Sequence, residues 1–552
     1  MEKRLLVAII VSFLLLAVYQ IFFIKKMPPA EQVQTTQQAA VQAATPSPAG
    51  QVQAQTPVQE TQPAVQVPIQ AVSAQVESDI VVDTPLFLAK WGNKGAILKS
   101  FRLKKHLDVK QEALELIPAR ASELGIFPFG LLTEDPAFDS EVNSALFQAS
   151  VPSLVLKDGE AGELVFKYAS DAGVKVEKTI LFKGGTYELG LKFDILKNGQ
   201  KADAKLVWGP GIGNIYAADP KTRTGGGGGM AVYVANKVYR VNDKKYKPEL
   251  GSYNFVNWAA FEDNYFAALF FLPGENGLAS FIQKKKEADP VPYYLLAISL
   301  PEKAYIGPKE YDALIAQGRG AKNLISFSGL FGWMEEILLR ALKLFHGLIP
   351  NWGVAIIILT LIAKIIFFPL TYSSTKSMAK MQEIQPKIKA LRAKHKKAKQ
   401  DIAQRRQLNE EMMKLYKEHG INPAGGCLPI LIQLPVFWGF FRVLSIGIEF
   451  RHSPFVLWIK DLSIRDPYYV TPILMGASQF IQQKMTPTGA DPAQARMMLI
   501  MPVVMTIFFM NFQSGLVLYW LTNNVLQIGQ QAIMNKMMKK KRERDGQRAT
   551  AR

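Results

Sequence analysis

The chain has 552 residues, a formal net charge of +19 at pH 7, 49% hydrophobic residues and a single cysteine, Cys427. This length is too great for one domain, and the long apolar runs indicate a membrane protein. One cysteine excludes an intrachain disulfide, and the five histidines are scattered without metal-ligand spacing. No phosphate-binding loop, GxSxG or HExxH motif is present, and we expect no metal and no cofactor.

The first predicted element is a membrane anchor. Residues 5–24 form an apolar run of 20 residues, which is long enough to cross a bilayer. Basic residues flank both ends and no small-x-small cleavage site follows, so residues 1–26 are predicted to be an uncleaved signal anchor. Residues 27–78 are rich in Gln, Ala, Pro and Val and contain no Lys or Arg, which predicts a disordered tether.

The next region, residues 79–325, has the pattern of an all-β domain. Short runs of alternating apolar and polar residues are bounded by turn residues, for example in 80–101 and 184–196. A period of two is typical of strands, and we interpret the region as one large antiparallel β-sandwich outside the membrane. Glu262 and Asp263 are adjacent in the sequence, and we expect both to be solvated at the surface.

An amphipathic helix is predicted over residues 326–348. Leu330, Met334, Ile337, Leu338, Ala341 and Phe345 share one helical face, and Glu335, Glu336, Arg340 and Lys343 occupy the other. This segment is too charged for a membrane span, so we interpret it as a helix lying along the outer membrane interface. A soluble helix packed on the β-domain is the alternative.

Five further apolar segments follow and are predicted to cross the membrane. They lie near residues 350–372, 425–447, 467–483, 497–511 and 514–534. Together with the anchor they give six spans, so both termini are expected on the same side of the membrane. The predicted fold class is therefore a multi-domain membrane protein with an α-helical polytopic core over residues 349–535 and an external all-β domain.

The distribution of basic residues gives the orientation. Lys and Arg outnumber Asp and Glu by 13 to 5 in residues 373–422, and by 8 to 2 in residues 535–552. The positive-inside rule places both segments in the cytoplasm and the β-domain outside. Residues 376–420 predict a basic helical hairpin and residues 536–552 a basic tail. Anionic lipid, RNA or an acidic peptide are the candidate partners, although topology alone also explains the charge.

Lys364 is the first candidate for a functional residue. It lies inside the apolar run 352–370, and an ammonium at membrane depth requires protein, water or an opposite charge around it. Thr360 lies one helical turn before it and Thr371 two turns after, so the three are predicted to share a face. A lysine that snorkels to the cytoplasmic surface is the alternative.

The last predicted span carries a second polar face. Trp520, Asn523 or Asn524, Gln527 and Gln531 recur at helical spacing. At a rise of about 1.5 Å per residue, Lys364 is about 18 Å and Gln527 about 20 Å from the outer end of its span, so the two faces meet, and Gln433 could join them. We predict a hydrated groove here. Polar side chains that only join helices are the alternative.

Lys364 has no acidic partner within the predicted spans. No Asp or Glu lies within any of the spans, so we expect the partner of Lys364 to come from another molecule. The absence also argues against proton-coupled transport, which normally uses buried acidic residues. Arg442 lies near the outer end of its span and is expected to snorkel.

Five segments of the C-terminal half carry a family resemblance. They are NWGVAIIILTLIAK (351–364), PLTYSSTKSMAKMQEIQPKI (369–388), INPAGGCLPILIQLPVF (421–437), PFVLWIKDLSIRDPYYVTPILMG (454–476) and SGLVLYWLTNN (514–524). In these segments the chain resembles the YidC, Oxa and Albino family of membrane protein insertases, in the Gram-negative form with a large periplasmic domain. The N-terminal half resembles that form in its layout of anchor, tether and β-domain.

The resemblance implies both a fold and a site. It implies a five-helix core with a hydrophilic groove open to the cytoplasm and to lipid, and a periplasmic β-supersandwich. The groove arginine of the family falls on Lys364, its groove threonine on Thr360, and its sixth-span tyrosine on Trp520. Together with the polar faces described above, and with Tyr519 beside Trp520, this gives the predicted substrate groove: Lys364, Thr360, Gln433, Tyr519, Trp520, Asn523, Asn524 and Gln527.

The resemblance also implies a function and partners. It implies a non-enzymatic insertase and chaperone of nascent inner-membrane proteins, which acts alone or with the Sec translocon and its accessory subunits and receives substrates from the translating ribosome. Two other classes stay open. A small-solute transporter or channel is one, although no inverted repeat is visible. An anchored periplasmic glycan-binding module is the other, and deleting residues 79–320 would abolish its function.

Overall fold

In the computed structural model the described residues are 71–108, 111–213, 229–241, 251–274, 276–285, 292–325, 327, 332–395, 401–420, 428–486 and 492–550. A β-rich region comes first in this part of the chain and helices follow it. The predicted anchor, 1–26, and most of the predicted tether, 27–78, lie outside the described residues.

One large antiparallel sheet forms the centre of the β-rich region. In spatial order its strands are β14 (Lys237–Val241), β13 (Gly229–Val234), β16 (Trp258–Glu262), β17 (Phe266–Phe271), β20 (Lys303–Pro308), β10 (Glu188–Lys197), β9 (Val174–Lys183), β8 (Ala161–Ala169) and β6 (Gln148–Ala149), with β11 (Gln200–Lys201) paired to β10. Strand β9 buries every second residue, from Val174 to Phe182. This is the period of two that the sequence pattern predicts for a strand with one face in a core.

Two smaller sheets complete the β-rich region. The strands of the first are β4 (Ala113–Glu115), β3 (Ile97–Leu107), β2 (Phe87–Gly92), β1 (Asp79–Asp83) and β7 (Ser153–Val155). The strands of the second are β15 (Ser252–Tyr253), β18 (Ala279–Lys284), β19 (Tyr293–Ser299), β12 (Lys205–Trp208) and β5 (Gly130–Leu132). Two short helices, α1 (Arg120–Leu124) and α2 (Pro136–Ser144), lie between strands.

Aromatic side chains pack the smaller sheets against the large one. Trp91 of β2 contacts Phe166 of β8 and Phe182 of β9, with ring centroids 6.3 and 6.4 Å apart. Trp208 of β12 contacts Phe270 of β17 at 5.5 Å. The two tryptophans are fully buried. Both small sheets therefore share one apolar core with the large sheet, as in a β-sandwich.

Two charged groups of the β-rich region are buried inside it, and a third, Asp263, is half-buried. Glu262 is buried, with its carboxylate oxygens 2.7 Å from Arg240 Nε and 3.0 Å from Lys309 Nζ. Burial alone would raise the pKa of Glu262, but the two cations lower it overall. Asp263 accepts hydrogen bonds from two backbone N–H groups of the β16–β17 turn. Lys178 is fully buried and donates to three backbone carbonyls.

The expectation of surface solvation is therefore wrong for Glu262. Burying a carboxylate is costly unless opposite charges and hydrogen bonds compensate for the lost water. Arg240 and Lys309 are separated from Glu262 by 22 and 47 residues, so the compensation arises only from the tertiary structure.

The helical region begins with two elements that lead out of the sandwich. Helix α3 (Tyr311–Gln317) and a 3-10 turn (Ala321–Leu324) precede α4 (Gly332–Leu348). The remaining helices are α5 (Trp352–Ile366), α6 (Phe368–Glu383), α7 (Gln385–Lys394), α8 (Ile402–Glu418), α9 (Leu428–Ile446), α10 (Val470–Met485), α11 (Pro492–Phe509) and α12 (Ser514–Thr550), with a 3-10 turn at Ile448–Phe450.

Helix α4 differs from its prediction in the face that it buries. Glu335 and Leu338 are buried, whereas Ile337 is 54% exposed. The buried face is therefore rotated from the predicted apolar face. If Gly439 of α9 were replaced by a residue with a Cβ, that atom would lie 2.6 Å from Cδ1 of Leu338. The two helices therefore approach closely at this glycine. Four exposed apolar side chains lie along α4, namely Trp333, Ile337, Leu344 and Leu348.

Helix α4 also contacts the β-rich region through α3. The hydroxyl of Tyr311 donates to Glu336, and Arg340 lies 2.6 Å from the same carboxylate. Lys343 forms ion pairs with Asp312 of α3 and with Glu449 beyond α9. The helix therefore packs on the sandwich side and on the helical side at once.

A second junction joins the β-rich region to the segment after α9. The carbonyl of Leu107, at the end of β3, accepts a hydrogen bond of 2.7 Å from Arg451 and lies 3.2 Å from His452 Nε2. The rings of Phe266 and His106 meet edge to face, and the Arg451 guanidinium lies 5.5 Å from the Phe266 centroid. Burial, with the charge of Arg451 beside it, lowers the pKa of His106 to about 4.

Helices α5 and α6 are bent by 59° relative to each other at Phe367. Pro369 is the second residue of α6, and a proline has no N–H to bond the carbonyl of Ile365, which explains the break. Within the described residues, this bent pair is the one arrangement with the length and apolar composition of a membrane span, and no single helix has both. The six predicted spans therefore stay a prediction.

The basic segment after the bend is helical. Helices α6 and α7 are separated at Ile384, just before Pro386, and α8 follows. Ile384 and Ile388 are buried against Met412 and Leu415 of α8. The last helix, α12, continues from Ser514 to Thr550, so the predicted basic tail is a direct extension of the last apolar helix.

Candidate functional site

The side chain of Lys364 contacts helix α12. Lys364 lies in the last turn of α5, and its Nζ donates a hydrogen bond of 2.8 Å to Oε1 of Gln527. Gln530, three residues further along α12, donates from Nε2 to the backbone carbonyl of Lys364 at 3.1 Å. Both ends of the lysine are therefore bonded to one neighbouring helix.

Helix α12 bonds α9 and α10 through adjacent asparagines. Gln433 of α9 donates from Nε2 to Oδ1 of Asn523 at 2.9 Å. Asn524 donates to the hydroxyl of Ser478 and to the carbonyl of Met475, both on α10, at 3.3 Å. Asn523 is 9% and Asn524 2% exposed, so these amides lie between helices rather than at a surface.

Trp520 provides a further link between α12 and α10. Its indole N–H donates to Oε1 of Gln479 at 3.2 Å. Its ring meets Phe437 edge to face at 4.8 Å and lies 5.2 Å from Phe509. The position therefore offers one polar donor within an aromatic surrounding.

Two of the sequence-predicted groove residues are placed differently from the rest. Tyr519 is 2% exposed and stacks on Phe440 at 4.2 Å. Thr360 is also 2% exposed, and its hydroxyl donates to the Ile356 carbonyl of its own helix at 2.7 Å. Both side chains are therefore buried. Tyr519 packs on Phe440 of α9, and the hydroxyl of Thr360 is bonded to its own helix, α5.

Two other residues of the predicted polar faces lie apart from Lys364. Thr371 is on α6, beyond the bend, and bonds the carbonyl of Phe367. Gln531 donates to Asn535 of its own helix at 2.9 Å.

Each of these separate hydrogen bonds between helices involves a residue of α12. We call the polar residues that take part the polar cluster, and its members are Lys364, Gln433, Ser478, Gln479, Asn523, Asn524, Gln527 and Gln530. Four helices contribute to it, and Trp520, Asn523, Asn524 and Gln527 recur on α12 at spacings of three, four and seven residues. Sequence reasoning missed Ser478, Gln479 and Gln530. The first two lie in the predicted span 467–483, where the depth argument used for Gln527 could have found them.

Arg442 belongs to a separate polar pair. Its Nε lies 4.0 Å from Oε1 of Glu335 on α4, and the two side chains are 10% and 0% exposed. The expectation that Arg442 snorkels to a surface is therefore wrong. The carboxylate that keeps it inside comes from the amphipathic helix, where the sequence placed Glu335 on the solvent face.

No metal centre accompanies these polar groups within the described part of the chain, where no three His, Cys, Asp or Glu side chains are arranged to bind an ion. The chemistry available at the cluster is that of one ammonium, several amides and one hydroxyl. Such groups bind and solvate other molecules through hydrogen bonds and charge.

Comparisons with known proteins cover both halves of the chain. A family model described as 60Kd inner membrane protein matches residues 344–542, and one described as YidC periplasmic domain matches residues 79–341. The protein named membrane protein insertase YidC from Syntrophus aciditrophicus is 39% identical over 97% of this chain and 100% of its own length. The protein of the same name from Geotalea daltonii is 38% identical over 98% of this chain and 100% of its own.

Solved structures give a weaker likeness. A crystal structure of an active YidC insertase with its first transmembrane domain resolved is 21% identical, with 83% of this chain and 93% of that one covered and a TM-score of 0.36. For YidC from Thermotoga maritima the identity is 16%, the coverage 83% and 98%, and the TM-score 0.29. The sequence relatives, which match nearly end to end, confirm the resemblance found in the motifs. The chain belongs to the YidC family of membrane protein insertases.

Proposed function

We propose that this chain inserts nascent proteins into the bacterial inner membrane and helps them fold, without covalent chemistry. The observation that supports this most directly is the polar cluster, in which α12 bonds α5, α9 and α10 through side chains inside an otherwise apolar group of helices. Family membership supplies the biochemical class. The relatives are named membrane protein insertases.

In the proposed mechanism the cluster lines a hydrophilic groove open to the cytoplasm and to lipid. The exported segment of a substrate is often short and acidic, and the ammonium of Lys364 attracts it into the groove. Asn523 and Asn524, which are buried, hold α9 and α10 against α12. Gln433 and Gln527 replace part of the water that the segment loses. Their amides both donate and accept hydrogen bonds, so they can solvate a polar backbone of any sequence.

The apolar surroundings receive the hydrophobic helix of the substrate. Trp520 presents an aromatic surface beside the cluster, and Tyr519 and Thr360 fix the packing of α12 and α5 behind it. Burial of the substrate helix in lipid supplies the driving force, at about 25 cal/mol per Å² of apolar surface. The membrane potential assists the transfer of acidic segments.

The proposed topology follows from the charge distribution. The chain crosses the inner membrane six times, with both termini and the basic hairpin of residues 376–420 in the cytoplasm and the β-rich domain in the periplasm. The hairpin and the basic end of α12 then face the translating ribosome and anionic lipid headgroups. The Sec translocon and its accessory subunits are further proposed partners.

The experiment that tests this function is reconstituted insertion. A small single-span protein with an acidic exported tail is added to liposomes that contain the full chain, and insertion is measured by protease protection of the tail. Variants Lys364→Arg, Lys364→Ala and Lys364→Glu are compared. Lys484→Ala removes a lysine near the end of α10 that lies over the ring of Phe480, and it serves as the control for loss of one positive charge.

We expect the arginine variant to insert the substrate, the alanine variant to be impaired and the glutamate variant to be impaired most. Equal insertion by all Lys364 variants would contradict the proposed role of the groove charge. Failure of the wild-type chain to insert any substrate would contradict the proposed function and favour the transporter alternative.

A further inference from the structure

Lys364 is held by α12 at both of its ends, and this arrangement carries an inference about Gln527. The ammonium is bonded to the amide oxygen of Gln527, and the backbone carbonyl is bonded to the amide nitrogen of Gln530. We propose that Gln527 is a positioning residue, which holds the ammonium of Lys364 in the groove. A substrate carboxylate then replaces the amide oxygen of Gln527 as the hydrogen-bond acceptor of the ammonium. The inference rests on the proposed function of the groove.

The flexibility of lysine is the first reason. An ammonium on a four-carbon stem has many rotamers, and it lacks the planar fork that fixes an arginine on a carboxylate. A freely moving Lys364 could turn from the groove toward the end of α5. The bond of 2.8 Å to Gln527, which lies 163 residues away in the sequence, restricts it to the face of α5 that meets α12.

The backbone contact gives the same conclusion. Helix α5 ends at Ile366, so the carbonyls of its last turn lack the N–H groups that a continuing helix would supply. Gln530 satisfies the carbonyl of Lys364 from α12. The backbone of Lys364 is therefore fixed relative to α12. This second contact keeps the two helices at the distance that the bond between Lys364 and Gln527 requires.

The neutral charge of the partner is the third reason. Among the residues that the structure describes, the side chain bonded to Lys364 Nζ is an amide, with no carboxylate in an ion pair with it. A carboxylate adds the attraction between opposite charges to the hydrogen bond, so it binds an ammonium more strongly than a neutral amide does. An acidic substrate segment can therefore replace Gln527, whereas a glutamate at this position would compete with the substrate.

The test uses two substrates in the reconstituted system, one with an acidic exported tail and one of equal length with a neutral tail. The measured quantity is the ratio of their insertion rates. The variants are Gln527→Met, which removes the acceptor at nearly constant volume, and Gln527→Glu, which adds a competing charge. Gln531→Met is the matched control on the same helix, since Gln531 bonds Asn535 instead of Lys364.

We expect Gln527→Glu to lower the acidic-to-neutral ratio about tenfold, equivalent to about 1.4 kcal/mol. Gln527→Met should lower the ratio less, and Gln531→Met should leave it unchanged. In a Lys364→Ala background, Gln527→Met should have no further effect on the ratio, because the glutamine acts through the lysine. Circular dichroism of each purified variant establishes that it is folded.

Each other outcome counts against the inference in a defined way. If both substrates slow equally in Gln527→Met and Gln527→Glu, Gln527 has only a structural role. If Lys364→Ala lowers the ratio while neither Gln527 variant does, the positioning role is refuted and the proposed groove charge stands. If Lys364→Ala also leaves the ratio unchanged, the groove charge itself is refuted, and with it the inference.

Discussion

The buried pair of Glu335 and Arg442 makes the attachment of α4 to α9 sensitive to single substitutions. The side chains are 0% and 10% exposed, with 4.0 Å between Arg442 Nε and Glu335 Oε1. Arg442→Met leaves the carboxylate of Glu335 inside the protein without this cation. Removing one partner of a buried ion pair typically costs about 3–5 kcal/mol, so we expect a loss of stability of that size.

The double variant Glu335→Met/Arg442→Met should be much less affected. Apolar residues of similar volume often replace a buried ion pair at no cost, since neither charge has to be desolvated. We therefore expect a coupling energy of at least about 3 kcal/mol between the two positions.

The assay is urea unfolding of the full chain in detergent, combined with hydrogen exchange of the α4 amides. Arg340→Met is the control, because Arg340 pairs with Glu336 at a site where its side chain is 61% exposed. Such a surface pair contributes about 1 kcal/mol or less. If the destabilisation of the double variant equals the sum of the two single variants, the pair is not coupled and the reasoning is wrong.

Three further predictions follow from the packing. The pKa of His106 is lowered to about 4 by burial and by the charge of Arg451. The folded protein thus binds fewer protons than the unfolded chain between about pH 6.5 and pH 4. Stability should fall as the pH falls through this window, and hydrogen exchange at the end of β3 should show it in the wild type but not in His106→Phe. Lys178→Met leaves three buried backbone carbonyls without their donor. This should cost about 3 kcal/mol or more, and hydrogen exchange that stays slow at residues 93–98 would contradict it. Gly476→Ala places a Cβ 1.8 Å from a hydroxyl of α11 and should destabilise the chain by about 1–3 kcal/mol. Gly529→Ala, with nothing within 4 Å of the added Cβ, should not, and unfolding in detergent compares the two.

Much of the architecture could be predicted because it depends on local pattern. Alternation with a period of two identified strands such as β2 and β10, and the apolar runs identified the helices α5, α9, α10, α11 and α12. Helix ends and breaks were harder to predict from the sequence. The bend after α5 depends on Pro369, yet the apolar run continues across it, so hydropathy gives no sign of a break.

The polar cluster was predictable in part for a similar reason. The spacing of Trp520, Asn523, Asn524 and Gln527 places them on one face of a helix. The helical rise puts Lys364 and Gln527 at similar depths in their spans. The contacts of the cluster were not predictable. Adjacent residues on α12 bond different helices, and which helix each one meets depends on the packing of all four.

The sequence by itself determined the family, the order of a β-rich and a helical half, and the candidate residues Lys364 and Gln527, because motifs and periodicity are properties of neighbouring residues. Only the tertiary structure decided which charges are buried. The sequence pattern predicts a surface position for Glu262, Glu335 and Arg442. In the structure each is buried beside an opposite charge. The cost of burying a charge depends on its partners in space, and for these residues the partners come from distant parts of the chain.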